Sequence, residues 1–353
     1  MRKGKRLIAW IMAVVMLFTI CVFGGNGTAE AAATTPVAKH GRLSVKGADL
    51  VDSKGNKFQL RGISTHGINW DVGSPYVNKK AFKTLRDDWG VNAIRLAMYT
   101  EEYNGYCSGG SQAKLRKLVD KGVGYATDLG MYAIIDWHIL SDGNPNKNKA
   151  QAKKFFTTMA KKYKNNKNVI YEICNEPNGC GWKEIKSYAT DIIKTIRKYD
   201  KKAVIIVGTP TWSQLGTDGM SNEVADSPIK GYKNIMYSLH FYASEWAHNE
   251  YLPAKVAYAR KKKLPIIVSE FGLSPASGDG AINKASADKW MKLLNKYNIS
   301  YFCWSLSNKN ESASLLKPST KKTSGWKSGD LSTAGKYIKK KYLARKKALG
   351  KKA

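Results

Sequence analysis

Residues 132–173 read YAIIDWHILSDGNPNKNKAQAKKFFTTMAKKYKNNKNVIYEI. The segment begins with an apolar run at 132–137, passes through a polar turn to a stretch at 151–163 with apolar residues every three to four positions, and ends with an apolar run at 169–173. The runs are typical of strands buried on both faces, and the middle stretch is typical of an amphipathic helix. The segment therefore predicts a strand–helix–strand unit with parallel strands.

The same unit repeats along the chain. Eight apolar runs are predicted to be strands, at 58–63, 93–98, 132–137, 169–173, 203–207, 235–239, 266–269 and 301–305. Amphipathic helices are predicted between them at 79–89, 114–129, 151–163, 185–199, 251–262 and 285–297. This repetition predicts an α/β fold, a closed (β/α)8 TIM barrel, preceded by a short β-hairpin at 43–45 and 50–51. A doubly wound open sheet is the competing architecture, but residues 62–67 lack the glycine spacing of a dinucleotide-binding loop.

The N-terminus has the three regions of a secretory signal peptide. Residues 1–6 carry four basic side chains, residues 7–23 are apolar, and residues 28–33 are mostly small. We expect residues 1–33 to be removed and the protein to be secreted, with no transmembrane anchor after processing. A retained membrane anchor is the alternative, and lipid attachment at Cys21 is disfavoured by the bulky Ile20 before it. The catalytic barrel is then predicted at 34–344, followed by a basic tail at 345–353.

The chain is strongly basic. Its formal net charge is +32, and because residues 1–33 carry four basic residues and one acidic residue, the rest carries +29. The lysines are scattered over predicted helices, which is typical of solvated outer faces and does not indicate a nucleic-acid partner. The densest basic run is 336–352, with nine basic residues and no acidic one. A solvated helix and tail would account for this basic run, and weak adhesion to an anionic cell wall is the more specific alternative.

Four cysteines follow the predicted signal peptide, and their spacing matches no zinc site. An exported protein can form disulfides, so a bond between Cys107 and Cys180 is conceivable, although sequence alone does not decide it.

Each predicted strand ends at a polar or aromatic side chain. These residues, in chain order, are His66, Arg95, Tyr99, His138, Asn175, Glu176, Trp212, His240, Tyr242, Glu270 and Trp304. A single histidine in such a position is usually structural, but eight strands that all deliver such groups to one rim predict an active site.

Two carboxylates at this rim suggest the chemistry. Glu176 follows the fourth strand and Glu270 follows the seventh, so they can face each other across the barrel mouth. Glycoside hydrolysis needs such a pair, one carboxyl to protonate the leaving oxygen and one to attack or to activate water. We expect Arg95 and Tyr242 to keep Glu270 ionised, and His240 to tune the proton of Glu176. Asn175 is expected to hold the 2-hydroxyl of the sugar.

Four motifs resemble glycoside hydrolase family 5, the cellulase family, and its bacterial endoglucanase subfamily. They are Ile173-Cys174-Asn175-Glu176-Pro177, Val268-Ser269-Glu270-Phe271-Gly272, residues 136–145 (DWHILSDGNP) and residues 304–312 (WSLSNKNES). The resemblance extends from about residue 40 to about residue 342.

The resemblance implies a role for each matching residue. It makes Glu176 the acid/base and Glu270 the nucleophile, with Arg95, His138, Asn175, His240 and Tyr242 in support. It further implies a set of substrate-binding residues: His66, Trp70, Tyr99, Trp212, Trp304, Lys309 and Glu311. Asn69 stands where the family often has glutamine and is left unassigned.

The sequence thus predicts a retaining endo-β-1,4-glucanase that acts on β-glucan as a monomer, with no metal or cofactor. A β-mannanase, xyloglucanase or mixed-linkage glucanase with the same mechanism is the nearest alternative. A non-catalytic carbohydrate-binding barrel is the remote one, because it predicts the loss of a glutamate or of a partner, and all of them are present.

Overall fold

The computed structural model describes residues 35–350. Its centre is a closed barrel of eight parallel strands. The strands are β3 (Arg61–Thr65), β4 (Ala93–Tyr99), β5 (Tyr132–His138), β6 (Val169–Glu172), β7 (Ile205–Val207), β8 (Ile235–Tyr242), β9 (Ile266–Gly272) and β10 (Tyr301–Leu306). They pair in the order β10-β3-β4-β5-β6-β7-β8-β9. The predicted TIM barrel is confirmed.

The N-terminal hairpin is also present. Strand β1 (Ser44–Lys46) pairs antiparallel with β2 (Asp49–Val51). Leu43, Leu50, Phe58 and Leu60 pack into the same apolar cluster as residues from the starts of the barrel strands. The hairpin therefore closes the basal end of the barrel, by which we mean the end where its strands begin. Since residues 58–60 belong to this plug, the first barrel strand starts at Arg61, three residues later than predicted.

Helices surround the barrel. The longer ones are Lys79–Trp89, Gln112–Asp128, Lys149–Tyr163, Trp182–Arg197, Trp246–Lys261, Lys284–Tyr297 and Thr333–Gly350. The shorter ones are Pro36–His40, Pro210–Ser213, Glu223–Asp226 and the 3-10 turns Ser74–Tyr76 and Ser328–Asp330. Helix Lys79–Trp89 shows how neighbouring residues define the ends of a helix. Asn78 Oδ1 accepts a hydrogen bond from Ala81 N (2.7 Å) at its start, and Gly90 ends it with φ at 75°.

The final helix crosses the predicted boundary between barrel and tail. Helix Thr333–Gly350 continues past residue 345, and its buried Tyr342 donates a hydrogen bond to Gly62 O (2.8 Å). Arg345 Nε donates to Gln59 Oε1 (2.8 Å) at the basal end. Residues 345–350 are thus part of an anchored helix, and residues 351–353 lie outside the described part.

Two other expectations concern processing and redox state. The predicted signal peptide at 1–33 lies outside the described residues. None of the helices among residues 35–350 is long and apolar enough to cross a membrane. Cys107, Cys174, Cys180 and Cys303 are all free thiols, so the bond considered between Cys107 and Cys180 is not formed.

Candidate active site

The carboxyl ends of the barrel strands surround a cavity of about 590 Å³. Twelve of the predicted site residues line it: His66, Trp70, Tyr99, His138, Glu176, Trp212, His240, Tyr242, Glu270, Trp304, Lys309 and Glu311. The two others, Arg95 and Asn175, are wholly buried and bonded to the lining residues, so they belong to the floor. The barrel thereby brings together side chains that lie up to 245 positions apart in the chain.

The two glutamates face each other in this cavity. One carboxylate oxygen of Glu176, one of Glu270 and a ring nitrogen of His240 all lie within 4.8 Å of one another. Glu270 lies within β9 and is in register with His240 of β8, while Glu176 follows β6. A separation of about 5–5.5 Å between carboxyl groups is typical of retaining glycosidases, and about 6.5–9.5 Å of inverting ones. The geometry favours retention.

Glu270 is held as an acceptor of two hydrogen bonds. The Tyr242 hydroxyl donates to its Oε1 (2.7 Å), and Arg95 Nη1 donates to its Oε2 (2.9 Å). Gly272 makes the first bond possible, because a Cβ at this position would lie 2.5 Å from the Tyr242 ring. The two donors fix the orientation of the carboxylate in the cavity, as a nucleophile requires.

Glu176 lies in an environment that favours its protonated form. Burial raises its pKa to about 8, and the nearby Asp136 and Glu172 carboxylates act in the same direction. His240 Nδ1 lies 2.8 Å from Glu176 Oε1, and burial lowers the pKa of His240 to about 4. The imidazole is therefore neutral, and with its Nε2 paired with Ser269 Oγ (2.9 Å), its Nδ1 can accept a hydrogen bond from protonated Glu176.

Arg95 is the centre of the charged floor beneath the glutamates. Its side chain has no exposed surface, and Nε donates to Glu172 Oε2 (2.7 Å) while Nη2 lies 3.1 Å from Asp136 Oδ2. Burial raises the pKa of Asp136 to about 7 and also raises that of Glu172. One guanidinium thus faces three carboxylates, and Glu270 is the one that reaches the cavity.

Asn175 connects this floor to His138. Its Oδ1 accepts from Arg95 Nη2 (2.6 Å), and its Nδ2 lies 3.0 Å from Ile139 O and 3.2 Å from His138 Nε2. His138 Nδ1 is in turn 2.6 Å from Asp136 Oδ2. The Asn175 amide thus joins Arg95 to His138 through hydrogen bonds within the floor.

Aromatic rings form one wall of the cavity. Trp304 is stacked with His138 (centroids 5.2 Å apart) and lies 5.1 Å from His66, and the ring of Trp70 lies 4.5 Å from that of Tyr99. Asn69, unassigned from the sequence, has a structural role: its Nδ2 donates to Asn104 O (2.8 Å) and its Oδ1 accepts from Tyr99 N (2.9 Å). The wall offers flat apolar surfaces of the kind that pack on pyranose rings.

Charged groups lie beside this wall. Lys309 Nζ is 2.5 Å from Glu311 Oε2, and His66 Nε2 is 3.6 Å from Glu311 Oε1. Although burial opposes it, the hydrogen bonds and charges of these two partners hold the pKa of Glu311 below its ordinary value. The pair therefore presents an ammonium and a carboxylate to the cavity.

The opposite wall is more open. Trp212 is 46% exposed, in a turn where its φ is 52°. Lys255 holds the loop that follows, and only 3% of this residue is exposed. Its Nζ donates hydrogen bonds to Gln214 O (3.1 Å) and Asp218 O (2.5 Å). Burial lowers the pKa of Lys255. The exposed indole stands on a loop that a buried cation holds in place.

Comparison with known proteins identifies the family. The sequence model for cellulase (glycosyl hydrolase family 5) matches residues 51–310. The chain belongs to glycosyl hydrolase family 5.

Relatives in family 5 cover most of the chain. An endoglucanase of Clostridium saccharobutylicum is 47% identical over 341 residues, which cover 95% of this chain and 72% of that protein. Endoglucanase N of Pectobacterium atrosepticum is 44% identical over 325 residues, covering 92% of this chain and 70% of that protein. The catalytic domain of Thermobifida fusca endoglucanase Cel5A matches with a TM-score of 0.81 at 37% identity, covering 88% of this chain and 99% of that one. A variant of that domain, solved with cellotetraose, matches with a TM-score of 0.80 at 36% identity, with the same coverage.

Several functional residues of this family 5 site were missed from the sequence. Glu172 lies inside a run that was interpreted as an apolar strand, and the signal that could have found it is a carboxyl group within a buried strand. His248 accepts from Tyr242 N (2.9 Å), and Glu102, Gln214 and Glu245 line the cavity. These four lie in loops or at a helix start, where no periodic pattern indicates which way a side chain points.

Glu176, His240 and Glu270 also form the type of cluster that can bind a metal ion. However, both oxygens of Glu270 accept from Tyr242 and Arg95, and both ring nitrogens of His240 are paired with Glu176 and Ser269. These hydrogen bonds orient the three side chains in the way that proton transfer and nucleophilic attack require.

Proposed function

We propose that the protein is a retaining endo-β-1,4-glucanase that hydrolyses internal bonds of cellulose and related β-glucans by double displacement. The observation that carries the mechanism is the pair of glutamates within 4.8 Å of each other in opposite environments. The activity is supported by family membership and by relatives that are endoglucanases.

In the first step, the Glu270 carboxylate attacks the anomeric carbon and the bond to the leaving oxygen breaks. Glu176 gives its proton to that oxygen, because a pKa of about 8 keeps it protonated at neutral pH. Arg95 and Tyr242 hold Glu270 through one oxygen each, which orients the nucleophile. The products are a glycosyl ester on Glu270 and a free chain end.

In the second step, water attacks the anomeric carbon and Glu270 leaves. Esterification has removed the negative charge of Glu270 beside Glu176, so the pKa of Glu176 falls and its carboxylate can take the proton of the water. Neutral His240, 2.8 Å away, accepts a hydrogen bond from protonated Glu176 and helps to hold its orientation. Two inversions give net retention.

The choice of glucan over mannan rests on the glycone side of the cavity. We propose that Trp70 and Trp304 stack on sugar rings, that Lys309 and Glu311 grip hydroxyls two units from the cleavage point, and that Trp212 supports the leaving group. The preformed contact between Lys309 and Glu311 (2.5 Å) supports a fixed hydroxyl-binding site there.

Two measurements test the proposal. NMR of fresh products should show the β-anomer first, whereas an α-anomer appearing first would refute retention. Carboxymethylcellulose should be hydrolysed faster than β-mannan, and the reverse order would make the protein a mannanase. An inactive protein that still binds cello-oligosaccharides would instead support a non-catalytic binding barrel.

We also propose that the protein is exported after removal of residues 1–33 and acts as a monomer. The basic residues of 345–353 are proposed to contribute to adhesion on an anionic wall. Lys346 and Lys347 are exposed near the end of the final helix, which supports this contribution.

A further inference from the structure

The basal end of the barrel, opposite the cavity, gathers five segments of the chain. They are residues 41–48, 164–167, 198–202, 228–234 and 261–265, which we call the basal face. Asn234 joins three of them, since its Oδ1 accepts from Val45 N (2.9 Å) and its Nδ2 donates to Lys202 O (2.9 Å). Arg42 Nη2 donates to Lys164 O (3.4 Å), which connects a fourth segment. The fifth segment, through residues 262–265, lines a groove of about 340 Å³ together with Val45 and Asn234.

This basal face is almost entirely cationic. Its five segments contain twelve basic residues and one acidic residue. The acid, Asp200, is buried and accepts from the backbone N–H of Lys202 (3.1 Å) and Ala203 (2.9 Å), so it points inward. Lys262 of this face pairs with Asp226 (2.8 Å), and Arg42 lies 3.9 Å from Asp200 Oδ1. The other ten basic residues are exposed lysines that form no ion pair with any residue in 35–350: Lys46, Lys164, Lys167, Lys198, Lys201, Lys202, Lys230, Lys233, Lys261 and Lys263.

Helix dipoles do not account for four of these charges. A lysine in the last turn of a helix is stabilised by the carbonyl ends of that helix. Lys201, Lys202, Lys230 and Lys233 lie in loops that follow or precede strands, outside any helix of the described chain. Unpaired like charges side by side repel each other, so their concentration at one end has no folding benefit.

The active-site cavity at the other end of the barrel has an acidic lining. Five glutamates and one lysine line it, namely Glu102, Glu176, Glu245, Glu270, Glu311 and Lys309, and of these glutamates Glu176 is protonated at neutral pH. The basal face and the cavity lining therefore differ in the sign of their charge. An anionic surface would attract the basal face and leave the cavity facing away from it.

The composition of the basal face indicates the type of anion. Eleven of its twelve basic residues are lysines and only one is arginine. Lysine ammonium groups act as mobile point charges on phosphates, whereas planar, base-specific recognition relies on arginine. Val45, Tyr232 and Pro265 give the groove apolar walls beside Lys233 and Lys263, which suits a linear chain with alternating charged and carbon-rich units.

We propose that the basal face binds a linear polyol-phosphate polymer of the cell wall, which holds the enzyme at the wall with its cavity directed outward. This site is independent of the hydrolytic mechanism and extends the adhesion proposed for residues 345–353. Lys346 belongs to the same end of the molecule, because its side chain lies beside Gly90 in the loop before β4.

The test is binding of the full chain to immobilised poly(glycerol phosphate) at increasing salt. We expect retention at 50 mM salt and a log–log salt slope of about −3 if four lysines are engaged. A variant reverses four charges of the basal face: Lys201→Glu, Lys202→Glu, Lys233→Glu and Lys263→Glu. It should bind at least about 100-fold more weakly, since each lysine near an anionic surface contributes about a fivefold gain.

A matched control reverses four exposed lysines in the first turns of helices, toward the cavity end: Lys80→Glu, Lys114→Glu, Lys183→Glu and Lys284→Glu. It has the same net charge as the basal variant and should lose less than about fivefold in affinity. Both variants should keep the parent activity on soluble cello-oligosaccharides, which separates this proposal from failure of the proposed hydrolysis. If the basal variant unfolds, the four Lys→Gln changes replace it.

Three results would overturn the proposal. The parent chain could fail to bind at 50 mM salt, or both quadruple variants could weaken binding equally, which would make net charge the cause. The third is that double-stranded DNA, at equal phosphate concentration, binds the basal face more tightly than poly(glycerol phosphate) does.

Discussion

The two ends of the barrel differ in whether their charged side chains are buried and paired or exposed and unpaired. At the cavity end, Arg95 has no exposed surface and lies within 3.1 Å of Glu172, Asp136 and Glu270. At the basal end, Lys201 and Lys233 are exposed and form no ion pair within residues 35–350. Water screens the basal charges, whereas burial strengthens every interaction at the floor of the cavity. Charge placed in the interior shifts pKa values and makes a reaction possible, and charge placed on the surface attracts a partner at long range.

Glu270→Gln should have the largest effect at the cavity end. The amide removes the nucleophile while keeping its shape, so kcat on all glucan substrates should fall by at least about 10⁴-fold. Binding of cello-oligosaccharides, measured by calorimetry, should persist within a few-fold. Substantial residual turnover with the parent product stereochemistry would mean that Glu270 is not the nucleophile.

Glu176→Ala should slow hydrolysis in a substrate-dependent way. Loss of a general acid typically costs about 10²–10⁴-fold in rate, and only poor leaving groups need the proton. We expect the full loss on cellotetraose and a much smaller loss in glycosyl-enzyme formation on dinitrophenyl cellobioside, compared by pre-steady-state kinetics. Equal losses on the two substrates would contradict the acid role.

Arg95→Met should destabilise the fold more than any single change on the basal face. It removes the cation shared by three buried carboxylates, and breaking a buried pair costs about 3–5 kcal/mol. Urea denaturation of parent and variant measures the difference in free energy of unfolding. A loss of free energy of unfolding below about 1 kcal/mol is within the range of ordinary substitutions. It would show that the stability of the fold does not depend on the Arg95 guanidinium.

The pH dependence of kcat/KM should report the buried acid. Burial raises the pKa of Glu176 to about 8, so the protonated form is present below that pH and lost above it. On cellotetraose we expect kcat/KM to fall about tenfold per pH unit above about 8. The same descending limb should be missing in Glu176→Ala. If kcat/KM instead began to fall near the ordinary pKa of a glutamate, burial would not be what sets the pKa of Glu176.

Lys201→Met on the basal face should have the smallest effect on stability. The side chain is exposed and unpaired among the described residues, so the free energy of unfolding should change by no more than about 0.5 kcal/mol. Activity on soluble substrates should be unchanged. This variant is the matched control for Arg95→Met, and equal losses in the two would remove the contrast between the ends of the barrel.

Most of the architecture could be predicted because its signals are local. Helix Lys79–Trp89 was predicted residue for residue, since an asparagine cap and a glycine stop bracket its apolar stripe. Strand ends were less predictable: β8 and β9 run three residues further than expected, through Tyr242 and Gly272, because pairing with the neighbouring strand extends them. The final helix was partly missed as a structural element, because Tyr337 and Tyr342 are buried among lysines and weaken its apolar pattern.

The sequence by itself determined the repeating strand–helix unit, the barrel and the motifs that contain Glu176 and Glu270. These features depend on neighbours a few positions apart, and hydrophobic periodicity and short motifs record them directly. Only the tertiary structure decided that two glutamates 94 positions apart lie within 4.8 Å, that burial raises the pKa of one of them, and that five lysine-rich segments meet at the basal end. Distance and burial depend on how the closed barrel brings remote segments together, and no local pattern in the chain contains that information.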